Sequence, residues 1–293
     1  MRLGARLPHT GDLPATVGIP AMARAIEDAG FDGAWVSDHV VMPERIDSWY
    51  PFAADGVVRW PTAVDWYDAL VSLALAAGVT QRVTLGTAVL VLPLRHPVEL
   101  AKQAASLDAA SGGRLVLGVG AGWLAEEFEA LGVPFADRGA RLAEWMAIAR
   151  ECWSGRPPAR ASARYALPAG TLCLPVPARG TIPFLVGGHS PAALRRAGRV
   201  GDGWLGQQAA GELDADAAAA AIATVREAAA GAGRDPDALR MVLRIVESEG
   251  RADQVARHLP ALARAGVQEV IVDLDWEDGD HREDHDLMEH AIR

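Results

Sequence analysis

The sequence predicts an α/β fold, a (β/α)8 TIM-type barrel. Three observations lead there: short apolar runs rich in β-branched residues, amphipathic segments of helix length between them, and eight such alternations within 293 residues. Strands that are apolar along their whole length belong to parallel sheets covered by helices. An open doubly wound sheet shares the alternation, but eight units fit a closed barrel better.

The elements follow in order. Leu3 to Leu7 opens the chain as a strand. In the helix expected over Val17 to Ala29, Ile19, Met22, Ala23 and Ile26 share one face, and Gly30 closes it. A strand from Gly33 to Asp38 follows, then a helix-poor stretch from 40 to 64 with three prolines and the aromatics Trp49, Tyr50, Phe52 and Trp60. Such a long connection suits a functional lid or a packing surface. Trp66 to Ala77 reads as a helix, "RVTLGTAVLV" as a strand, and Pro97 to Ala110 as a helix that turns Leu100, Ala104 and Leu107 inward.

"RLVLGVG" from Arg114 is the fourth strand, and Leu142, Trp145, Met146, Ala149 and Trp153 form the stripe of a further helix. Residues 154 to 181, rich in Pro, Arg, Ala and Gly, read as an insertion. "IPFLVGG", "DGWLG", "LRMVLRIV" and "VQEVIVDL" supply the last four strands. Helices are expected over Ser190 to Gly198, Asp214 to Ala230 and Ala252 to Ala265, and an acidic helix ends the chain. One domain over 1–293, with loop insertions at about 40–64 and 154–181, is the expected organisation.

The 38 acidic residues outnumber the 28 basic ones, giving a net charge of −10. That field repels polyanions, and no basic stripe offsets it, so a nucleic-acid partner is not expected. Cys152 and Cys173 are too few for a disulfide framework and lack zinc spacing, so both are expected as reduced thiols. The longest uncharged apolar stretch, Val83 to Leu94, is too short to cross a bilayer, and the first residues do not read as a signal peptide. A cytoplasmic protein with no membrane contact is expected.

In a barrel the catalytic groups lie at the C-terminal ends of the strands. Those positions here are Pro8 and His9; Asp38 and His39; Thr87 and Ala88; Gly120 and Gly122; Gly187 to Ser190; Gln207 and Gln208; Glu247; and Asp273. Asp38 and His39 are adjacent, so one is expected to face the barrel mouth and the other to support the loop. A loop start held by local hydrogen bonds is the plainer reading of that pair. "LGVGAGW", 117–123, is not a dinucleotide fingerprint, but its glycines clear space for a planar ligand or for the chain itself. "VGGHSP", 186–191, presents a helix N-terminus suited either to a phosphate or to an ordinary cap. His96 before Pro97 is expected to cap its helix. The tail histidines 281, 285 and 290 fit no three-ligand zinc pattern, so no metal is expected.

These pieces occur in a specific order. "GFDGAWVSDHVVMPE", then "LGTAVLVLPLRHPVELAKQAASLDAASGGRLVLGVGAGWLAEEFEALG", then "FLVGGHSPAALRRAGRVGDGW" resemble the bacterial luciferase-like monooxygenase superfamily, and within it the branch that uses the deazaflavin coenzyme F420. The resemblance implies a cofactor ring in the C-terminal mouth, with His39 at the reactive centre as the catalytic residue and Asp38 contacting the cofactor. It also implies a non-prolyl cis peptide at Ala88–Val89 forming a bulge behind the ring. Gly120, Glu126 and the turn Gly187, Gly188, His189 and Ser190 would hold the cofactor's side chain and phosphate.

The expected substrate is small and apolar, in a pocket with His9, Trp49, Trp60 and Trp123. Trp123 stands where the sugar-phosphate dehydrogenases of this branch carry a catalytic glutamate, which speaks against sugar-phosphate oxidation. Hydride transfer with F420 is the leading expectation. An FMN-dependent monooxygenase and a non-catalytic flavin-binding relative are the alternatives. A homodimer is expected from the resemblance alone.

Overall fold

The computed structural model describes residues 1–53, 55–277 and 280–293. The expected 40–64 insertion includes Ala54, and the acidic tail includes 278 and 279, which lie outside the described residues. Eight parallel strands close a barrel: β1 (Arg2–Arg6), β2 (Gly33–Val36), β3 (Thr84–Val91), β4 (Leu115–Gly120), then β7 (Phe184–Gly187), β8 (Gly203–Ala209), β9 (Arg240–Val246) and β10 (Glu269–Val272), the last pairing back to β1. A hairpin of β5 (Arg160–Ala161) and β6 (Ala166–Leu167) lies outside the barrel, within the expected 154–181 insertion.

The covering helices are α1 (Ile19–Ala29), α2 (Ala69–Ala77), α3 (Pro97–Ala110), α4 (Ala125–Ala130), α5 (Arg138–Trp153), α6 (Pro191–Val200), α7 (Ala215–Ala230), α8 (Ala252–Ala265) and α9 (His281–Ile292). Their ends obey local chemistry. Gly30 and Gly266 close α1 and α8 in the left-handed conformation. Asp214 and Ser190 cap α7 and α6 through their side chains. The His96 ring accepts the Glu99 amide at the start of α3.

Two expected boundaries move. α2 begins at Ala69, not Trp66, because the Asp68 carboxylate accepts the Leu70 and Val71 amides and so sets the cap. Trp66 instead pairs with Thr10 in an isolated bridge. β2 ends at Val36, which frees Ser37, Asp38 and His39 from strand alternation.

Packing divides into two layers. One apolar layer lies between barrel and helices, and a second fills the barrel interior with Trp35, Ala88, Val116, Leu185, Leu205, Val242 and Ile271. Trp35 sets the shape of that interior. A Cβ at Gly4, Gly33 or Gly86 would lie 2.6, 2.7 or 2.1 Å from its indole, so three neighbouring strands are bare where the ring sits. The Trp35 Nε1–H donates to Glu269 Oε1 at 3.1 Å, and Arg240 pairs with the same buried carboxylate. Among the described residues no helix is long and apolar enough to cross a membrane.

Candidate active site

Chain order after β2 decides what Asp38 and His39 do. Asp38 turns inward and is buried. Its Oδ2 accepts the Val91 amide at 3.0 Å and its Oδ1 accepts Arg95 Nη2 at 2.5 Å. Burial pushes its carboxyl above the usual range, against the opposing pull of Arg95. Arg95 also bonds Asp68 at 2.8 Å, so one guanidinium ties the end of β2 to the cap of α2. Both Asp38 oxygens are engaged within the chain, so this residue supports the mouth by tying the end of β2 to Val91 and Arg95.

His39 turns the other way. Its ring lies 4.9 Å from Trp66, 6.0 Å from Trp123 and 6.2 Å from Trp60, centroid to centroid. Tyr50 adds a fourth ring against Trp123. Nδ1 meets Glu127 Oε2 at 2.9 Å, and the other Glu127 oxygen accepts the Val40 amide at 2.6 Å. Glu127 is 1% exposed, a buried carboxylate used to orient one imidazole and hold the loop beyond it. With Nδ1–H donating to a carboxylate, the neutral ring keeps its lone pair on Nε2.

Glu126, expected to help hold the cofactor's side chain and phosphate, stands beside Glu127 but turns to other partners. It accepts the Asp47 and Ser48 amides and the Ser48 hydroxyl, pinning the long loop after β2. Successive residues on α4 point about 100° apart, so one carboxylate serves the loop and the other serves His39. "AEEF" displays both glutamates equally, and only the packing of α4 separates them.

The third strand carries the bulge. The Ala88–Val89 peptide is cis, and the register against β4 jumps between Thr87 and Leu90. Val89 projects between two bare positions: a Cβ on Gly120 would lie 2.7 Å from its Cγ2, and one on Gly187 would lie 2.8 Å from its Cγ1. These glycines make room for the bulge. Arg244 on β9 reaches across the barrel and donates Nη1–H to the Ala88 carbonyl at 3.0 Å.

The "GGHS" turn leads into α6. Gly188 has φ 115°, the region that favours glycine, and its carbonyl accepts the Trp204 indole at 2.9 Å. His189 Nε2 accepts the Gln207 amide at 2.9 Å, and the Ser190 hydroxyl accepts the Ala193 amide at 3.2 Å. No acidic residue stands in the first turn of α6.

His9 is fully buried at the end of β1, edge-on to Trp66. Burial, then the charge of Arg6, pushes its imidazole from 6.5 down to about 3, so the ring is neutral. Nδ1 faces the Leu7 carbonyl at 3.4 Å, and Nε2 has no hydrogen-bond partner among the described residues. His9 and His39 both pack edge-on to Trp66. Trp49, expected in the pocket, is 65% exposed and packs over Gly56. Trp60 and Trp123 do join His39, with Tyr50 of the same expected loop against Trp123; Trp66, Glu127 and Arg244 complete the neighbourhood and were not singled out from the sequence as site residues. On the far surface, His285, Asp286 and Glu289 bring ligand atoms within 4.8 Å of one another, without the other two tail histidines.

Comparison with known proteins fits this geometry. Residues 4–291 match the family described as luciferase-like monooxygenase. An uncharacterized protein of Mycobacterium tuberculosis is 40% identical over 184 residues, which span 63% of this chain and 63% of that protein's length. An F420-dependent glucose-6-phosphate dehydrogenase of Beutenbergia cavernae is 33% identical over 258 residues, 84% of this chain and 70% of its own. The F420-dependent tetrahydromethanopterin reductase of Methanopyrus kandleri superposes with a TM-score of 0.75 at 20% identity, covering 99% of this chain and 98% of that one.

Proposed function

The chain belongs to the luciferase-like monooxygenase family, and we propose that it acts as an F420-dependent oxidoreductase, exchanging hydride with a small organic substrate in the C-terminal mouth of the barrel. The observation that carries this reading is His39, oriented by the buried Glu127 at 2.9 Å and enclosed by tryptophans. The residues fit a planar cofactor with a phosphate. Aromatic rings and the β3 bulge line the mouth, and the α6 N-terminus, capped by Ser190 and free of acidic residues in its first turn, suits an anion.

When bound, a deazaflavin supplies a two-electron hydride donor or acceptor that reacts poorly with oxygen. The chain supplies the rest. Nε2 of His39 takes the proton from a substrate hydroxyl during oxidation, or returns it to a carbonyl oxygen during reduction. Glu127 keeps Nδ1 protonated and stabilises the imidazolium formed in between. The rings of Trp60, Trp66 and Trp123 hold the reacting carbon and keep water away. Asp38, through Val91 and Arg95, keeps the bulge in place under them.

The test is a fluorescence-quenching titration of the purified protein with F420 and with FMN. F420 binding is expected; tight FMN binding with no F420 binding overturns the reading in favour of an oxygen-activating enzyme. His39→Ala is expected to lower turnover by about 10²–10⁴-fold while cofactor affinity is retained. Cofactor binding with neither hydride transfer nor oxygen uptake across a substrate panel would identify a binding protein instead.

A further inference from the structure

The same end of the barrel holds a cavity of about 260 Å³ at the ends of β1, β9 and β10. Its walls include Arg6, Glu249, Asp273, Asp275, Trp276 and Glu277, one guanidinium against four carboxyl groups. That balance disfavours an anion, because the carboxylates around the cavity repel a negative charge placed in it. It does not select a cation either. Arg6 Nε and Arg244 Nη2 each lie 3.9 Å from Asp273 Oδ1, so two guanidinium groups already face the innermost carboxylate. Burial, then the charge of Asp273, pushes the Glu249 carboxyl above its ordinary range.

What the walls offer is a mixture of neutral-compatible donors and acceptors. Asp273 is 7% exposed and rigidly held, its Oδ2 accepting the Glu247 amide and its own amide donating to Ser248 Oγ. Among the described residues its Oδ1 finds no hydrogen-bond partner, and neither do Arg6 Nε or Trp276 Nε1. The 3.9 Å between Arg6 Nε and Asp273 Oδ1 is too long for a direct bond. A hydroxyl, which accepts and donates at once, spans such a gap; a phosphate or an ammonium can satisfy only one side of it.

We infer that this cavity binds the hydroxylated part of a small neutral polyol, with hydroxyls bridging Arg6 and Asp273 beside Trp276. Binding stands on these residues alone. The further step, that the bound molecule is the substrate whose reacting end meets the aromatic rings around His39, rests on the function proposed above.

The two can fail separately. In protein without cofactor, the NMR signal of the Trp276 indole N–H is followed during titration with glucitol, a phosphate ester of glucitol, and cadaverine. A saturable shift with glucitol is expected, with at least about tenfold weaker binding of the ester and the diamine. Arg6→Gln and Asp273→Asn are each expected to weaken glucitol binding about tenfold, and His39→Ala to leave it unchanged. Should Asp273→Asn not fold, Glu249→Leu, which removes the polar group from the cavity wall, replaces it with the same expectation. No saturable shift, tighter binding of the ester or the diamine, or affinity indifferent to all of these cavity variants overturns the inference. Glucitol binding without turnover would leave the site standing and remove only its assignment to the substrate.

Discussion

The two halves of the barrel mouth are built from opposite materials. Beyond β2 and β4, His39 and Glu127 are sealed among aromatic rings, and both carboxylate oxygens of Glu127 have partners. Beyond β1, β9 and β10, charged side chains share a cavity; among the described residues Arg6, Asp273 and the neighbouring His9 each keep a buried polar atom without a partner, as Trp66 Nε1 and Arg95 Nε do on the other side. The difference teaches where rigidity and where recognition reside. A dyad fixed through Nδ1 and both Glu127 oxygens can hold one tautomer in one pose, whereas groups with open valences are poised to meet polar atoms from outside the chain. Val89 and its cis peptide stand between, tied to the first half through Asp38 and Val91 and to the second through Arg244.

The contrast can be broken at several points. The largest effect is expected in the sealed half: Glu127→Ala leaves the His39 Nδ1–H and the Val40 amide without an acceptor. That should cost about 3 kcal/mol in urea unfolding and lower turnover about a hundredfold, with Glu127→Gln recovering part of the stability but not the turnover. If both variants behave like the parent, the dyad has no positioning role.

The open half should reveal itself through pH. The His9 pKa is depressed in the fold to about 3, so its contribution to stability is complete above the unfolded value of 6.5 and is lost as pH falls toward 3, because only the unfolded chain takes up the proton. The loss amounts to about 2 kcal/mol by about pH 5, and His9→Gln should flatten that slope in denaturant melts recorded across the range.

The seam between the halves is sharpened by Gly120→Ala, whose new methyl meets Val89 Cγ2 at 2.7 Å. A cost of about 2 kcal/mol and weaker cofactor binding are expected, both partly restored when Val89→Ala is added. Additivity of the two changes would show that Gly120 does not serve the bulge. Trp49→Ala, at an exposed ring outside either half, should change stability by no more than about 0.5 kcal/mol and leave turnover alone.

Much of this was readable before any coordinates. The boundaries of α3 and α8 coincide with the expected ones because Pro97 and Gly266 mark them chemically. The stripe Leu142, Trp145, Met146, Ala149, Trp153 is buried throughout, since helical periodicity leaves only one face for it. The start of α2 was misplaced because an apolar pattern beginning at Trp66 hid the stronger local signal, the Asp68 cap. The 154–181 segment carries a short hairpin that its Pro and Gly content obscures.

At the site, His39 was legible because barrel topology singles out strand ends, and chain order alone counts the strands. Its partner was not. Choosing Glu127 over Glu126 requires the rotation of α4 against the loop after β2, and placing Trp66 beside His39 while Trp49 faces solvent requires that loop's path.

Sequence by itself determined the alternation of strand and helix, the closure into eight units, and the space that the glycines of 117–123 leave open, because these depend on local periodicity and on the missing Cβ. Tertiary structure alone decided which charges meet. Arg244 reaches Ala88 across 156 positions of chain, and Arg6 faces Asp273 from the far end of the sequence. Closing a barrel brings its first and last strands side by side, and nothing in the spacing of residues along the chain records that contact.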